Sequence, residues 1–232
     1  MLSFEKRSRQ KELLDQPSIP TEDLFRNLKE LNTINTLLGG YEVIKKGLKT
    51  LLRKQESTIR ILDIGSGGGD TLKYIHKKFG ETHSLQLSGV DLKEDCIVYA
   101  KENCKNDPIH FIKSDYRDLI RKEEDKYDVV TASLFCHHLS NDELVDLIRW
   151  MYRNTKQGFV INDLHRHRFA YYSIKWLTSL FSKSYLVRND APLSVARSFE
   201  RRDWELLFQK AAIKSYKIRW IWAFRWLVIV KH

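Results

Sequence analysis

The chain has 232 residues, 42% of them apolar and 30% charged, with a formal net charge of +10. That length suits one domain of ordinary size, or one domain with a cap, and the composition excludes a disordered chain. Three cysteines (Cys96, Cys104 and Cys136) without CxxC or Cys/His zinc spacing exclude a disulfide framework, and they predict free thiols and no bound metal.

The opening MLSFEKRSRQKELLDQ is charged throughout and lacks the apolar core of a secretory signal. Residues 1–57 read as a helical cap. Leu24, Phe25, Leu28 and Leu31 recur at helical spacing in Thr21–Leu31, Gly39 and Gly40 break the pattern, and Val43–Leu52 resumes it. From residue 58 strands alternate with helices. Ile59–Ile64 is a buried strand and Asp70–Phe79 a helix. Leu85–Asp91 is a strand and Lys93–Cys104 a helix. Ile109–Lys113 and Tyr127–Ser133 are further strands. Ser140 and Glu143 form a capping box that opens a helix to Met151. Gly158–Asp163 is a fifth strand.

A segment from Leu164 to Arg197 then interrupts the alternation and reads as a lid over the substrate. Its aromatics Phe169, Tyr171, Tyr172, Trp176 and Phe181 line an apolar pocket or serve ordinary packing. Phe199–Ala212 is a helix. Tyr216–Trp222 and Arg225–Val230 are strands joined so closely that they must pair antiparallel. The fold class is therefore α/β, a doubly wound, mostly parallel seven-stranded sheet closed by an antiparallel C-terminal hairpin. The most apolar stretch, Trp220–Val230, falls far short of the ~20 residues a membrane span needs. A cytoplasmic protein with no span is expected. Between Lys156 and His232 lie 15 Lys/Arg and 5 Asp/Glu, so the net positive charge sits in the last third. Such a surface suits nucleic acid, anionic lipid or a phosphorylated carrier, or is simply solvated.

Ligands of doubly wound sheets bind outside the carboxyl ends of the strands, and the chemistry-bearing residues follow strands here. Asp63-Ile-Gly65-Ser66-Gly67-Gly-Gly69 ends the first strand. Alternate glycines let a ligand approach the backbone beside a helix N-terminus. The spacing is G-x-G-x-G, whereas a dinucleotide pyrophosphate is held by G-x-G-x-x-G. The preceding acid, Asp63, suits a cationic ligand. Asp91, followed by Leu92, ends the second strand and can accept both hydroxyls of a ribose, a feature that serves NAD and S-adenosylmethionine (SAM) alike.

LDIGSGGGD resembles motif I of class I SAM-dependent methyltransferases, which implies a Rossmann-like methyltransferase fold and SAM as cofactor, with S-adenosylhomocysteine (SAH) as product. The same resemblance implies that Asp115 bonds the adenine amino group while Tyr116 packs on the ring. Ser133-Leu-Phe-Cys-His137-His138, after the fourth strand, is similar to the strand-end motif of the ubiquinone/menaquinone-type group. Ser133 and His137 would lie beside the methyl donor. His138 would take a proton from a hydroxyl acceptor, or one of the pair would cap the loop. Asp163 and His165 are the other candidate bases. NDLHRHRFAYY (Asn162–Tyr172) and DAPLSVARSF (Asp190–Phe199) resemble a bacterial subgroup linked to polyketide, phenolic-lipid or quinone pathways.

The expected function is methyl transfer to oxygen or carbon of a small phenolic, quinone-like or polyketide substrate. An RNA methyltransferase and a non-enzymatic SAM-binding protein are the alternatives, the first motivated by the basic last third but without a recognisable RNA-binding appendage. No Asn-Pro-Pro-Tyr-type motif follows the fourth strand, and no acidic set matches the metal-dependent catechol type.

Overall fold

A computed structural model describes residues 4–16, 18–52, 57–121 and 127–232. Seven strands form one sheet: β1 (Ile59–Ile64), β2 (Leu85–Asp91), β3 (Ile109–Lys113), β4 (Tyr127–Ser133), β5 (Thr155–Leu164), β6 (Lys217–Ile221) and β7 (Arg225–Lys231). Their order is β3-β2-β1-β4-β5-β7-β6. β7 runs antiparallel to both its neighbours, and the other pairings are parallel, as the short connection before it requires. The chain winds outward from β1 to β3, then returns to β4 on the other side. The β1/β4 boundary is therefore the switch point at which such sheets open a crevice.

Successive side chains of the strands feed two cores. Ile61, Val129, Val160 and Leu227 face α2 (Gly40–Leu51), α3 (Asp70–Phe79) and α4 (Glu94–Asn103). Leu62, Val130, Phe159 and Val228 face α5 (Tyr116–Arg121), α6 (Asn141–Arg153) and α9 (Arg201–Ala211). Both faces are buried, so the strands read as nearly continuous apolar runs. Ser140 caps α6 through its hydroxyl on the Glu143 N–H, and the Glu143 carboxylate returns to the Ser140 N–H, the expected capping box.

Several boundaries differ from those the sequence suggests. α1 (Thr21–Leu37) extends a turn and a half past Leu31. β5 begins at Thr155, not Gly158, because a bulge at Gly158, with φ +128°, absorbs a register shift against β4 and lets the strand start earlier. Residues 4–16 are not helical beyond one 3-10 turn, Leu13–Asp15. Residues 4–12 instead run across the molecule, with the Ser8 N–H on the Ala196 carbonyl. The segment 164–197 forms two helices, α7 (Arg168–Phe181) and α8 (Tyr185–Arg197). Pro192 and the buried polar residues Asp190 and Arg197 hide the second from a periodicity reading. Of the five α7 aromatics, only Tyr171 is buried. Phe169, Tyr172, Trp176 and Phe181 are 61–77% exposed, so they do not enclose a pocket. Among the described residues, no helix is long and apolar enough to cross a membrane.

Candidate functional site

The turn after β1 has positive φ at Gly65, Gly67 and Gly69 (+69°, +50° and +78°), a region costly for any residue with a Cβ. The three glycines differ in surroundings. A Cβ at Gly65 would lie 2.3 Å from the Phe135 ring, and one at Gly69 would lie 2.6 Å from Phe111. A Cβ at Gly67 would meet only Leu28 of α1, at 3.9 Å. The middle of the turn therefore opens onto free space, with α1 as its roof. The Gly67 N–H donates to Asp91 Oδ2 (2.9 Å), and the Lys93 N–H donates to Asp91 Oδ1 (3.0 Å). Each oxygen keeps a lone pair for a further donor. Leu92 beside it is 61% exposed. Asp115 is engaged by its neighbour Arg117 through three side-chain contacts of 2.6–3.0 Å, and this guanidinium holds its carboxyl below the ordinary range. The Tyr116 ring packs edge-on to Phe135, with ring centres 5.5 Å apart.

A buried polar layer lies under the α1–α2 junction. Asp63 is 1% exposed and accepts the Thr131 hydroxyl at 2.6 Å; burial raises its carboxyl to about 7. The Asn162 amide donates to Ser133 Oγ (2.9 Å) and to the Gly40 carbonyl (3.3 Å). A Cβ at Gly40 would fall 1.7 Å from Asn35 Oδ1 and 3.0 Å from Arg225 Cζ, so a larger residue there would displace those side chains. Arg225, on the first residue of β7, is 2% exposed, and burial lowers its guanidinium to about 10 against the pull of Asp163 and Tyr41. Its Nε and Nη1 have no hydrogen-bond partner, nor have Asn35 Oδ1, Asn27 Nδ2, Ser66 Oγ and Asn162 Oδ1. Buried polar atoms are normally paired, and this concentration of unpaired ones suits a polar, charged ligand.

The loop after β4 is clamped from two directions. Leu134 takes φ +54°, an uncommon value for a branched side chain. His137 and His138 follow it, with ring centres 4.3 Å apart. His137 Nδ1 is 2.8 Å from Asp163 Oδ1, with both residues buried, and the His137 N–H donates to Asp163 Oδ2. Burial works to raise the Asp163 carboxyl, but the imidazoles of His137 and His138 and the N–H donors outweigh it and hold it below its ordinary value. His138 Nδ1 is 2.9 Å from Asp15. Arg197 of α8 donates to the carbonyls of His137 and His138 and pairs with Asp15 at 2.7 Å. Arg7 donates to the carbonyls of His137 and Leu139. Asp190 accepts the Leu13 and Leu14 N–H groups, both at 2.8 Å, and Arg166 binds the Phe4 carbonyl and Asp203. The DAPLSVARSF and NDLHRHR segments thus hold residues 4–15 against the histidine loop.

The structure gathers Gly65, Ser66, Gly67, Gly69 and Asp91 at one turn, and Ser133, His137, His138 and Asp163 around the ends of β4 and β5. Asp163 is 0% exposed, so it positions His137 and does not itself face the crevice. His165 stands apart, its Nδ1 accepting from Trp220 Nε1 at 3.2 Å; burial, with His167 and Arg166 nearby, lowers it to about 4 and makes it a weak base. Glu12, Asp15, Asn35, Arg197 and Arg225 were not singled out from sequence; only Asp190–Phe199, quoted as a motif, pointed at one of them. Arg166, Arg197 and Arg225 of the basic last third are buried and so are not offered to a polyanion. A cavity of about 530 Å³ at the far end of β6 and β7, lined by Lys214, Tyr216, Lys217 and Ile229, has no carboxylate and faces away from the glycine turn.

Comparison with known proteins agrees with this arrangement. Residues 61–158 match the family described as methyltransferase domain. The ribosomal protein L11 methyltransferase of Lactobacillus gasseri is 29% identical over 110 residues, 47% of this chain and 32% of that protein. The mitochondrial ubiquinone biosynthesis O-methyltransferase of Saccharomyces cerevisiae is 25% identical over 146 residues, 60% of this chain and 42% of that protein. The chain thus spans about a third to two-fifths of the length of these curated relatives. The plantazolicin methyltransferase BpumL, solved with a substrate analogue and SAH, superposes with a TM-score of 0.65 at 20% identity, covering 90% of this chain and 89% of that one. The fold is the Rossmann-like one of these solved methyltransferases, and the match to the methyltransferase-domain family spans residues 61–158.

Proposed function

We propose that this chain is a SAM-dependent methyltransferase acting on oxygen or carbon of a small phenolic, quinone-like or polyketide acceptor. The observation that carries the reading is the glycine turn at the β1/β4 switch point, open at Gly67 beneath α1 and ringed by buried polar atoms that lack partners. SAM supplies a methyl group on a sulfonium, and its carboxylate, ammonium and ribose match those atoms in chemistry. Asp91 suits the ribose hydroxyls and Arg225 a carboxylate. Ser66, Asn27, Asn35 and Asn162 offer the remaining donors and acceptors. Asp63, bonded to Thr131, can ionise when a cationic ligand sits at the turn. Asp115 would have to share itself with Arg117 to reach an adenine.

The chain's own tasks are alignment of acceptor and donor, exclusion of water, and acceptance of the proton that the acceptor loses. The group around His137 and His138, fixed by Asp163 and Asp15, supports the last task; His165 is too weakly basic to compete. Residues 4–37 and 164–197 act as the lid. Similarity to the yeast ubiquinone O-methyltransferase supports a phenolic or quinone-like acceptor.

The test is calorimetric titration with SAM, SAH and NAD, followed by transfer of labelled methyl from SAM to a panel of phenols, quinols and polyketide acceptors. Micromolar SAH binding, no NAD binding and a labelled product are expected. Binding of NAD instead would overturn the cofactor reading, and SAM binding without transfer to any acceptor would leave only a SAM-binding protein. Loss of turnover in His138→Ala with retention in His165→Ala is expected; retention in both removes the proton-acceptor role.

A further inference from the structure

The geometry points to a divalent transition-metal site formed by Glu12, His137 and His138, bridging the N-terminal segment and the β4 loop. His137 Nε2 lies 3.7 Å from Glu12 Oε1, and His138 Nε2 lies 3.9 Å from Glu12 Oε2. One ligand atom from each of the three residues falls within 4.8 Å of the other two. These separations are too long for hydrogen bonds. They are close to the ~3.3 Å edge of a tetrahedron with metal–ligand bonds of about 2.0–2.1 Å, so a small inward movement would complete the set.

The second observation is independent of those distances. Each histidine presents its other nitrogen to a carboxylate, His137 Nδ1 to Asp163 at 2.8 Å and His138 Nδ1 to Asp15 at 2.9 Å. An ionised carboxylate only accepts, so in the neutral rings Nδ1 carries the proton and Nε2 the lone pair. Two lone pairs and the Glu12 carboxyl group therefore converge, with the Ser194 hydroxyl donating to Glu12 Oε1 at 2.9 Å beside them. Metal-bound histidines are oriented in just this way, by a carboxylate on the far nitrogen. Glu12 and His137 are 3% and 4% exposed, too buried for such a convergence to be relieved by bulk water. His138 is less buried and offers an entry path. Arg197 Nε is 3.8 Å from Glu12 Oε1, yet its guanidinium already pairs with Asp15 and three carbonyls, so the closest donor to Glu12 is the neutral Ser194 hydroxyl.

Imidazole with carboxylate suits zinc and its neighbours better than magnesium or calcium. Three protein ligands leave a further position for water or an acceptor oxygen. That use of the open position rests on the methyltransferase reading, and in the ion-bound state the ion would take over activation of the acceptor, because both Nε2 lone pairs are then engaged; binding of the ion rests on neither. Cysteine spacing says nothing of this set, since Glu12 lies 125 residues from His137 in sequence.

The experiment uses the whole chain, stripped with chelator and then given zinc or cobalt, with no substrate. Bound metal is counted after gel filtration, affinity is taken from competition with a chromophoric chelator, and cobalt is read by its visible absorption. We expect stoichiometric zinc, and cobalt bands of a four- or five-coordinate ion. Glu12→Gln and His138→Gln should weaken binding about 100-fold and Asp15→Asn about 10-fold, while the His165→Gln/His167→Gln double variant binds as before. Circular dichroism checks each fold, and the partly exposed His138 keeps the test decisive if Glu12→Gln misfolds. Absence of stoichiometric zinc, or zinc binding that survives both Glu12→Gln and His138→Gln, overturns the site. Either result leaves SAH binding and methyl transfer to be judged separately.

Discussion

Replacing Arg225 by Met separates a ligand-binding cation from a structural one, because the two readings predict opposite signs. The guanidinium is 2% exposed and two of its nitrogens lack partners. Its nearest countercharge, Asp163, is already committed to His137. In the ligand-free protein a buried, poorly paired cation is a cost, and an apolar side chain of similar reach should stabilise the fold by about 1–3 kcal/mol. For a chain of this length that raises the melting temperature by roughly 2–10 °C. In the complex, losing a buried charge-assisted contact with a carboxylate should cost about 3 kcal/mol, or about 100-fold in SAH affinity. Differential scanning calorimetry without ligand and isothermal titration with SAH read the two numbers. A melting temperature that falls while SAH affinity stays within about threefold of the parent refutes the reasoning and makes Arg225 a packing element.

Asp63 predicts a pH dependence. Its carboxyl holds its proton up to about 7 in the fold, against an ordinary value of 3.8. The folded state therefore carries an extra proton between those values, and its contribution to stability falls as pH rises through that window. Asp63→Asn, which can still accept the Thr131 hydroxyl, should flatten this slope and gain about 1–3 kcal/mol at pH 8 in ligand-free chelated buffer, measured by urea unfolding. Gly65→Ala should cost about 2–4 kcal/mol of stability through its collision with Phe135. Gly67→Ala should cost only about 1 kcal/mol yet lower SAH affinity at least about tenfold, since it fills open space at the crevice. Asp163→Asn should reduce turnover about 10- to 100-fold by releasing the His137 ring, with SAH affinity changed less than about threefold; an equal loss in both would deny it a positioning role.

The sheet was legible because both its faces are buried: apolar strand runs and the glycine turn are local signals, and the brief connection before β7 dictates the antiparallel edge. The capping box at Ser140 was legible for the same reason. On the proposed cofactor side, Gly65, Gly67 and Asp91 sit at strand ends, where the sequence pattern puts them. The acceptor side was only half visible. His137 and His138 announced themselves, but their partners Glu12, Asp15 and Arg197 come from elements far away in sequence and carry no local pattern. Arg225 carried no signal beyond opening a strand; only the pairing of β7 with β5 brings it opposite Leu164 and close to Gly40. The α7 aromatics failed in the other direction. Their spacing suggested a pocket lining, while most of them stand in the open.

The clamp on the N-terminal segment sets an order of assembly. Residues 4–15 are synthesised long before their anchors Arg166, Asp190 and Arg197. At about 5–20 residues per second, roughly 10–40 seconds pass before the last of these anchors is made. During that interval residues 4–15 lack these anchors, while the glycine turn and strands β1, β2 and β4 have already been synthesised. The histidine loop is thus closed late, by a segment made long before the residues that hold it there. Arg225 is made later still, so neither side of the crevice is complete until β7 has emerged.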